Sequence, residues 1–88
     1  MNCNIVLSGP IIRYTNFQKE LSFATDSPQG ALHELVGAYP KLADVLFNDG
    51  QWNDSVAIFC DSKKQKFTEM SGEGDSCELH LVVPLVGG

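Results

Sequence analysis

The sequence predicts an α+β domain in which one main helix lies across one face of a mixed sheet of four or five strands. Three observations carry that expectation. Apolar and polar residues alternate near the start, with Cys3, Ile5 and Leu7 between Asn2, Asn4 and Ser8, the period of a half-buried strand. One stretch, Asp26 to Tyr39, joins a helix-start signature to helical apolar spacing. The last long segment, Cys77 to Val83, is almost wholly apolar, as a central, covered strand would be. With 88 residues the chain has room for a single core, and a helix packed on one side of a sheet is the two-layer way to build one.

The elements follow in order. Gly9-Pro10 breaks the first strand, and Ile11 to Asn16 forms a longish, partly apolar loop. Alternation resumes with Phe17, Leu21 and Phe23 on one face, which closes a hairpin with the first strand. Ser27 is placed to cap free helix amides, Pro28 suits the first helical position, and Asp26 complements the positive end of the helix dipole. Leu32, Leu35, Val36 and Tyr39 then form the stripe that covers the sheet. His33 falls off that stripe and reads as a solvated side chain. Pro40 ends the helix and opens a second short one, with Leu42, Val45, Leu46 and Phe47 as its buried side.

Asn48 to Asp54 is turn-rich and reads as a loop, in which Trp52 serves as an anchor on the core rather than as an exposed contact. Ser55 to Cys60 is a β-branched, apolar strand. Asp61 to Lys64 turns the chain into a short further strand around Gln65 to Thr68, and Ser71 to Ser76 is another turn. The order is β-β-α-β-β, with the last strand expected in mid-sheet and parallel to the first.

Composition excludes several function classes. A net charge of −5 argues against nucleic acid, whose phosphates require basic patches, and suits a basic protein partner. The five lysines and Arg13 read as ordinary solvated charges. No early segment joins a basic start to a long apolar run, so neither a signal peptide nor a membrane span is expected, and the expected location is cytoplasmic. Cys3, Cys60 and Cys77 are odd in number, widely spaced and set in apolar segments, which predicts buried, reduced thiols rather than a disulfide framework. With His33 and His80 they lack metal-ligand spacing, so no metal is expected. No catalytic constellation stands out: Ser8-Gly9-Pro10 is not a nucleophile elbow, and Gly72 and Gly74 lack the strand, loop and helix setting of a phosphate cradle. Glu69, Glu73 and Asp75 read as a solvated turn.

The functional signal lies at the end of the sequence, Pro84-Leu85-Val86-Gly87-Gly88. Two glycines carry no Cβ, so a diglycine carboxylate can thread an enzyme channel in backbone conformations closed to other residues. At no more than about 3.5 Å per residue, such a tail extends on the order of 15 Å from a fold. The expected organisation is a domain over residues 1–83 and a flexible diglycine tail over 84–88.

The β-β-α-β-β order with a central last strand running into a diglycine resembles the ubiquitin-like β-grasp fold, and within it the sulfur-carrier proteins of the MoaD/ThiS type. The resemblance extends over Arg13-Tyr14-Thr15 with Gln18-Lys19-Glu20, Tyr39-Pro40 with Leu46, Gly74-Asp75-Ser76, and Val83 to Gly88. It implies that the protein is no enzyme but a macromolecular co-substrate. Its Gly88 carboxylate would be adenylated by an E1-like enzyme that uses ATP, then converted to a thiocarboxylate by a sulfur donor. A sulfur-accepting synthase making cysteine, molybdopterin, thiazole or a secondary metabolite would complete the route. Gly88 would be the attachment point, and Gly87, Val86, Leu85 and Pro84 would be recognised by the activating partner. Two other readings remain open, a ubiquitin-like modifier conjugated through its diglycine and a non-catalytic β-grasp interaction module.

Overall fold

The computed structural model describes residues 1–70 and 75–83. The first strand, β1 (Asn2–Ser8), alternates as expected, with Cys3, Ile5 and Leu7 buried and their neighbours outward. Gly9 stops it in a left-handed conformation (φ 82°) that side-chain-bearing residues rarely adopt, and 3-10 turns over Gly9–Thr15 replace the expected loop. Those turns bury Ile11 and Thr15. The Thr15 hydroxyl lies 2.7 Å from the Gln18 carbonyl and 3.0 Å from that of Ile12, so its proton always has an acceptor inside the core.

Strand β2 (Glu20–Ala24) returns antiparallel to β1, with Cys3 opposite Phe23 and Ile5 opposite Leu21. Phe17 corrects the expected second strand. It lies outside β2, in a left-handed conformation (φ 63°) and 72 % exposed, because Asn16 and Phe17 reverse the chain before the strand begins.

Helix α1 (Pro28–Ala38) starts as its sequence dictates. Ser27 is the cap, its Oγ accepting from the Gly30 amide at 3.0 Å, and Pro28 opens the first turn. Ala31, Leu32 and Leu35 are fully buried, with Val36 and Tyr39 packed at the margin, and the helix lies over β1 and β2. Helix α2 (Pro40–Leu46) follows, burying Leu42 and Leu46. Asn53 holds its C-terminal end, donating from Nδ2 to the Val45 carbonyl at 3.0 Å and from its backbone amide to that of Leu46 at 2.8 Å.

The segment expected as a loop after α2 is a miniature hairpin, β3 (Phe47–Asn48) and β4 (Gln51–Trp52). Asp49 (φ 53°) and Gly50 (φ 80°) form its turn, the pair of positive φ values that matches strand twist in a two-residue hairpin. Strand β5 (Ala57–Cys60) starts two residues later than the sequence suggests. Its partner β6 (Lys63–Gln65) comes earlier than expected, since Asp61 and Ser62 (φ 50° and 72°) make the turn alone, and Phe67–Glu69 is a 3-10 turn. Gln29 on α1 ties that turn down, donating to the carbonyls of Phe67 (2.8 Å) and Met70 (2.9 Å).

Strand β7 (Ser76–Val82) occupies the middle of a five-stranded sheet ordered β2-β1-β7-β5-β6, parallel to β1 and antiparallel to β5. Its position and direction are those expected; its covering is not. Only Cys77, Leu79 and Leu81 enter the core, while Glu78, His80 and Val82 face away from the helices, with Val82 40 % exposed. The sheet is thus buried on one face and open on the other.

The cysteines give a second correction. Cys3 and Cys77 are joined in a disulfide, not free. The parallel pairing of β1 with β7 sets the two residues side by side with Cα atoms 4.8 Å apart, within the span of a bridge, although 74 positions separate them in the chain. Cys60 is the buried free thiol that the sequence predicts.

Candidate functional site

The residues expected to carry the chemistry, Gly88 and Gly87 with Val86, Leu85 and Pro84, lie outside the described residues, as does most of the turn from Ser71 to Ser76. The structure describes the platform from which they follow. β7 leads to them from mid-sheet, and Val83 packs at the edge of the core, where a Cβ on Gly9 would stand 3.8 Å from its carbonyl oxygen.

The open face of the sheet extends to the C-terminal end of β7. Register places Glu20, Val6, His80, Phe59 and Lys64 in one row across all five strands. The neighbouring row, one step nearer the tail, reads Ser8, Val82, Ala57. Directly opposed residues project to the same side, so the centre of this face is half-exposed Val6, His80 and Phe59, with a carboxylate at one margin and an ammonium at the other. The His80 imidazole meets the Glu78 carboxylate through Nε2, and the Glu78 amide donates to Asp61 Oδ1 at 3.0 Å. The sequence carries a sign of this face in the alternation of Glu78, His80 and Val82, but the row itself depends on register between distant strands.

Trp52 is the anchor expected of it. Its Nε1 donates to the Val56 carbonyl at 3.1 Å, and its ring stacks on Phe67 at 5.3 Å between centroids. Phe47 meets both rings edge-on. His33 is exposed, as expected, but it also stacks on Phe47 at 5.4 Å, so it caps this aromatic cluster. A cleft of about 520 Å³ opens beside Trp52, Val56, Ile58 and Phe67, where Gln65 Oε1 is buried without a hydrogen-bond partner among the described residues.

Burial pushes the Cys60 thiol above its ordinary value, and the neighbouring Asp61 charge adds to the effect. Cys60 is therefore a packed thiol rather than an activated nucleophile. Among the described residues no three His, Cys, Asp or Glu side chains gather as a metal would require, and no helix is long and apolar enough to cross a membrane.

An open-faced mixed sheet with a central last strand, wrapped around one main helix, is the ubiquitin-like β-grasp fold, and solved structures with that fold match the whole chain. Small archaeal modifier protein 1 from Haloferax volcanii superposes with a TM-score of 0.85 at 22 % identity, covering 100 % of both chains. Its namesake from Methanosarcina acetivorans gives 0.82 at 21 %, covering 99 % of this chain and 96 % of its own. CysO from Mycobacterium tuberculosis gives 0.77 at 15 %, covering 94 % and 99 %. No protein-family model and no curated protein matches the sequence. Identities this low carry the fold.

Proposed function

We propose that the protein is a sulfur carrier whose Gly88 carboxylate is the reacting group. The observation that supports this reading best is the placement of β7, a central strand that leads from the middle of an open, half-apolar sheet face directly to Pro84-Leu85-Val86-Gly87-Gly88. A partner seated on that face would meet the tail at its root. A CysO of this fold is known in a complex with BexX, which supports a role alongside a partner protein.

The chemistry requires no acid or base from the carrier. A carboxylate is a poor electrophile, so an E1-like enzyme first joins it to AMP, ATP losing pyrophosphate. Sulfide then attacks the acyl carbon, expels AMP and leaves the thiocarboxylate. With a protein persulfide as donor, a thiol must afterwards reduce the S–S bond of the acyl adduct to release the same product. Orientation and charge stabilisation belong to the enzyme. The carrier contributes a handle and a tail narrow enough to reach the reacting centre. The residues 1–83 would form that handle, and 84–88 the tail.

Intact mass spectrometry tests the proposal after incubation with ATP, sulfide and an E1-like enzyme. Replacement of oxygen by sulfur adds about 16 Da, and the gain should map to Gly88. The variant Gly88→Ala, with an added methyl and restricted φ, should lose most ATP–pyrophosphate exchange while keeping the wild-type melting temperature. An unmodified terminus with every cognate activating enzyme would overturn the reading.

The resemblance in fold to two small archaeal modifier proteins favours a second reading, conjugation of the diglycine to lysines of other proteins. Isopeptide-linked adducts carrying the tail in cell extracts would support it over sulfur transfer.

A further inference from the structure

The open sheet face has a symmetry that the proposed carrier role does not use. Read across the strands, its central row runs carboxylate, apolar, imidazole, apolar, ammonium: Glu20, Val6, His80, Phe59, Lys64. Rotation of a second copy by 180° about an axis parallel to β7 reverses this order, so Glu20 of one copy faces Lys64 of the other, Val6 faces Phe59, and His80 faces His80. In the row nearer the tail, Val82, 40 % exposed, meets Val82 and Ser8 meets Ala57. A surface that is its own complement under a two-fold rotation is what an isologous dimer requires.

We infer that this face is a self-association surface, its partner being a second copy of the same chain. Two Val6–Phe59 contacts flank the paired His80 rings, and two Glu20–Lys64 pairs close the margins. Facing sheets stand about 10 Å apart and cross at about 30°, a separation that long Glu and Lys side chains can bridge. Glu78 also lies near the axis, but its carboxylate is engaged by His80 of its own chain. Repulsion between two chains of net charge −5 is screened beyond about 8 Å at physiological salt. The two charged pairs fix the orientation: a parallel-shifted or inverted copy would set Glu20 against Glu20 or lose both pairs. Because the same face includes the C-terminal end of β7, the dimer covers the surface that a partner would need.

Sedimentation equilibrium of the full chain, from micromolar to millimolar, tests the inference without any enzyme or ATP, so its outcome is independent of the sulfur-carrier reading. Wild-type protein should dimerise within that range. Glu20→Lys and Lys64→Glu should each raise the dissociation constant tenfold or more, and the double exchange should restore it to within about threefold of wild type, since it rebuilds both pairs with reversed sign. Circular dichroism spectra establish that each variant is folded. In wild-type protein alone, a dilution series followed by amide NMR should shift Val6, Phe59, His80 and Val82 most. A chain that stays monomeric to millimolar concentration overturns the inference. So does a dimer indifferent to the single exchanges, a double exchange that fails to restore association, or a set of shifts centred elsewhere.

Discussion

Opening the Cys3–Cys77 bridge should be the most damaging single covalent change to the fold. The crosslink joins residues 74 apart, nearly the whole chain. Closing a loop of that length in the unfolded state removes entropy worth about 4.5 kcal/mol at 25 °C in the chain-entropy account. A domain of this length has a total stability of about 4–13 kcal/mol, so the bridge represents a third of it or more. In a domain this small each kcal/mol moves the melting temperature by at least about 4 °C, which gives a fall of roughly 18 °C. Cys3 and Cys77 are 0 % and 4 % exposed, so the bridge must be reduced in denaturant and the protein then refolded with reductant present. Thermal unfolding by circular dichroism would compare that sample, the oxidised protein and Cys77→Ser. Thiol titration in denaturant should find one free thiol before reduction and three after. A shift below about 5 °C, some 1 kcal/mol, would refute the entropic argument. Three thiols in the unreduced protein would refute the bridge itself.

Three further outcomes follow from local geometry. Replacing Phe17 by Gly should raise stability by about 1 kcal/mol in denaturant unfolding, because its ring is mostly solvated while its backbone holds a left-handed conformation. Ser27→Ala should cost about 1 kcal/mol in the same assay by freeing the Gly30 amide, and Ser27→Asp should recover most of it. For Cys60, a raised folded-state pKa means that the thiol stays protonated in the fold after the unfolded chain has begun to ionise. Its contribution is therefore complete below pH 9.0, the ordinary thiol value, and is lost as pH rises from there through the folded-state value. Chemical denaturation from pH 7 to 11 should show wild-type stability falling above about pH 9 more steeply than that of Cys60→Ala.

The parts of the fold that the sequence reveals are those decided by nearby residues. Ser27 caps α1 through an amide three residues away, and Leu32 and Leu35 reach the core because helical spacing sets their common side. Alternation over Asn2 to Ser8 identifies β1 for the same reason. Phe17 misleads because alternation counted backwards from Phe23 and Leu21 includes it, while two left-handed residues have already turned the backbone. The β3–β4 hairpin has strands of two residues, too short for any period to show. The Cys3–Cys77 pair and the row from Glu20 to Lys64 depend on which strands become neighbours, a property of the assembled sheet. The candidate attachment point is the reverse case: Gly87-Gly88 is legible in the sequence, and its platform only in the fold.

The position of β7 also ties the tail to the integrity of the whole chain. Among the described residues β1 pairs with β2, β5 pairs with β6, and β7 is the strand that joins these two hairpins. Without β7 this sheet would be left as two separate two-stranded ribbons, which are marginal in water. The parallel pairing of β1 with β7, distant in the chain, is therefore the slow and non-local step of folding such a topology. Any partner that reads the open face and the segment beyond Val82 together would respond only to a chain whose central strand is seated in the sheet. The arrangement makes the seating of β7 a precondition for offering the open face and that segment together.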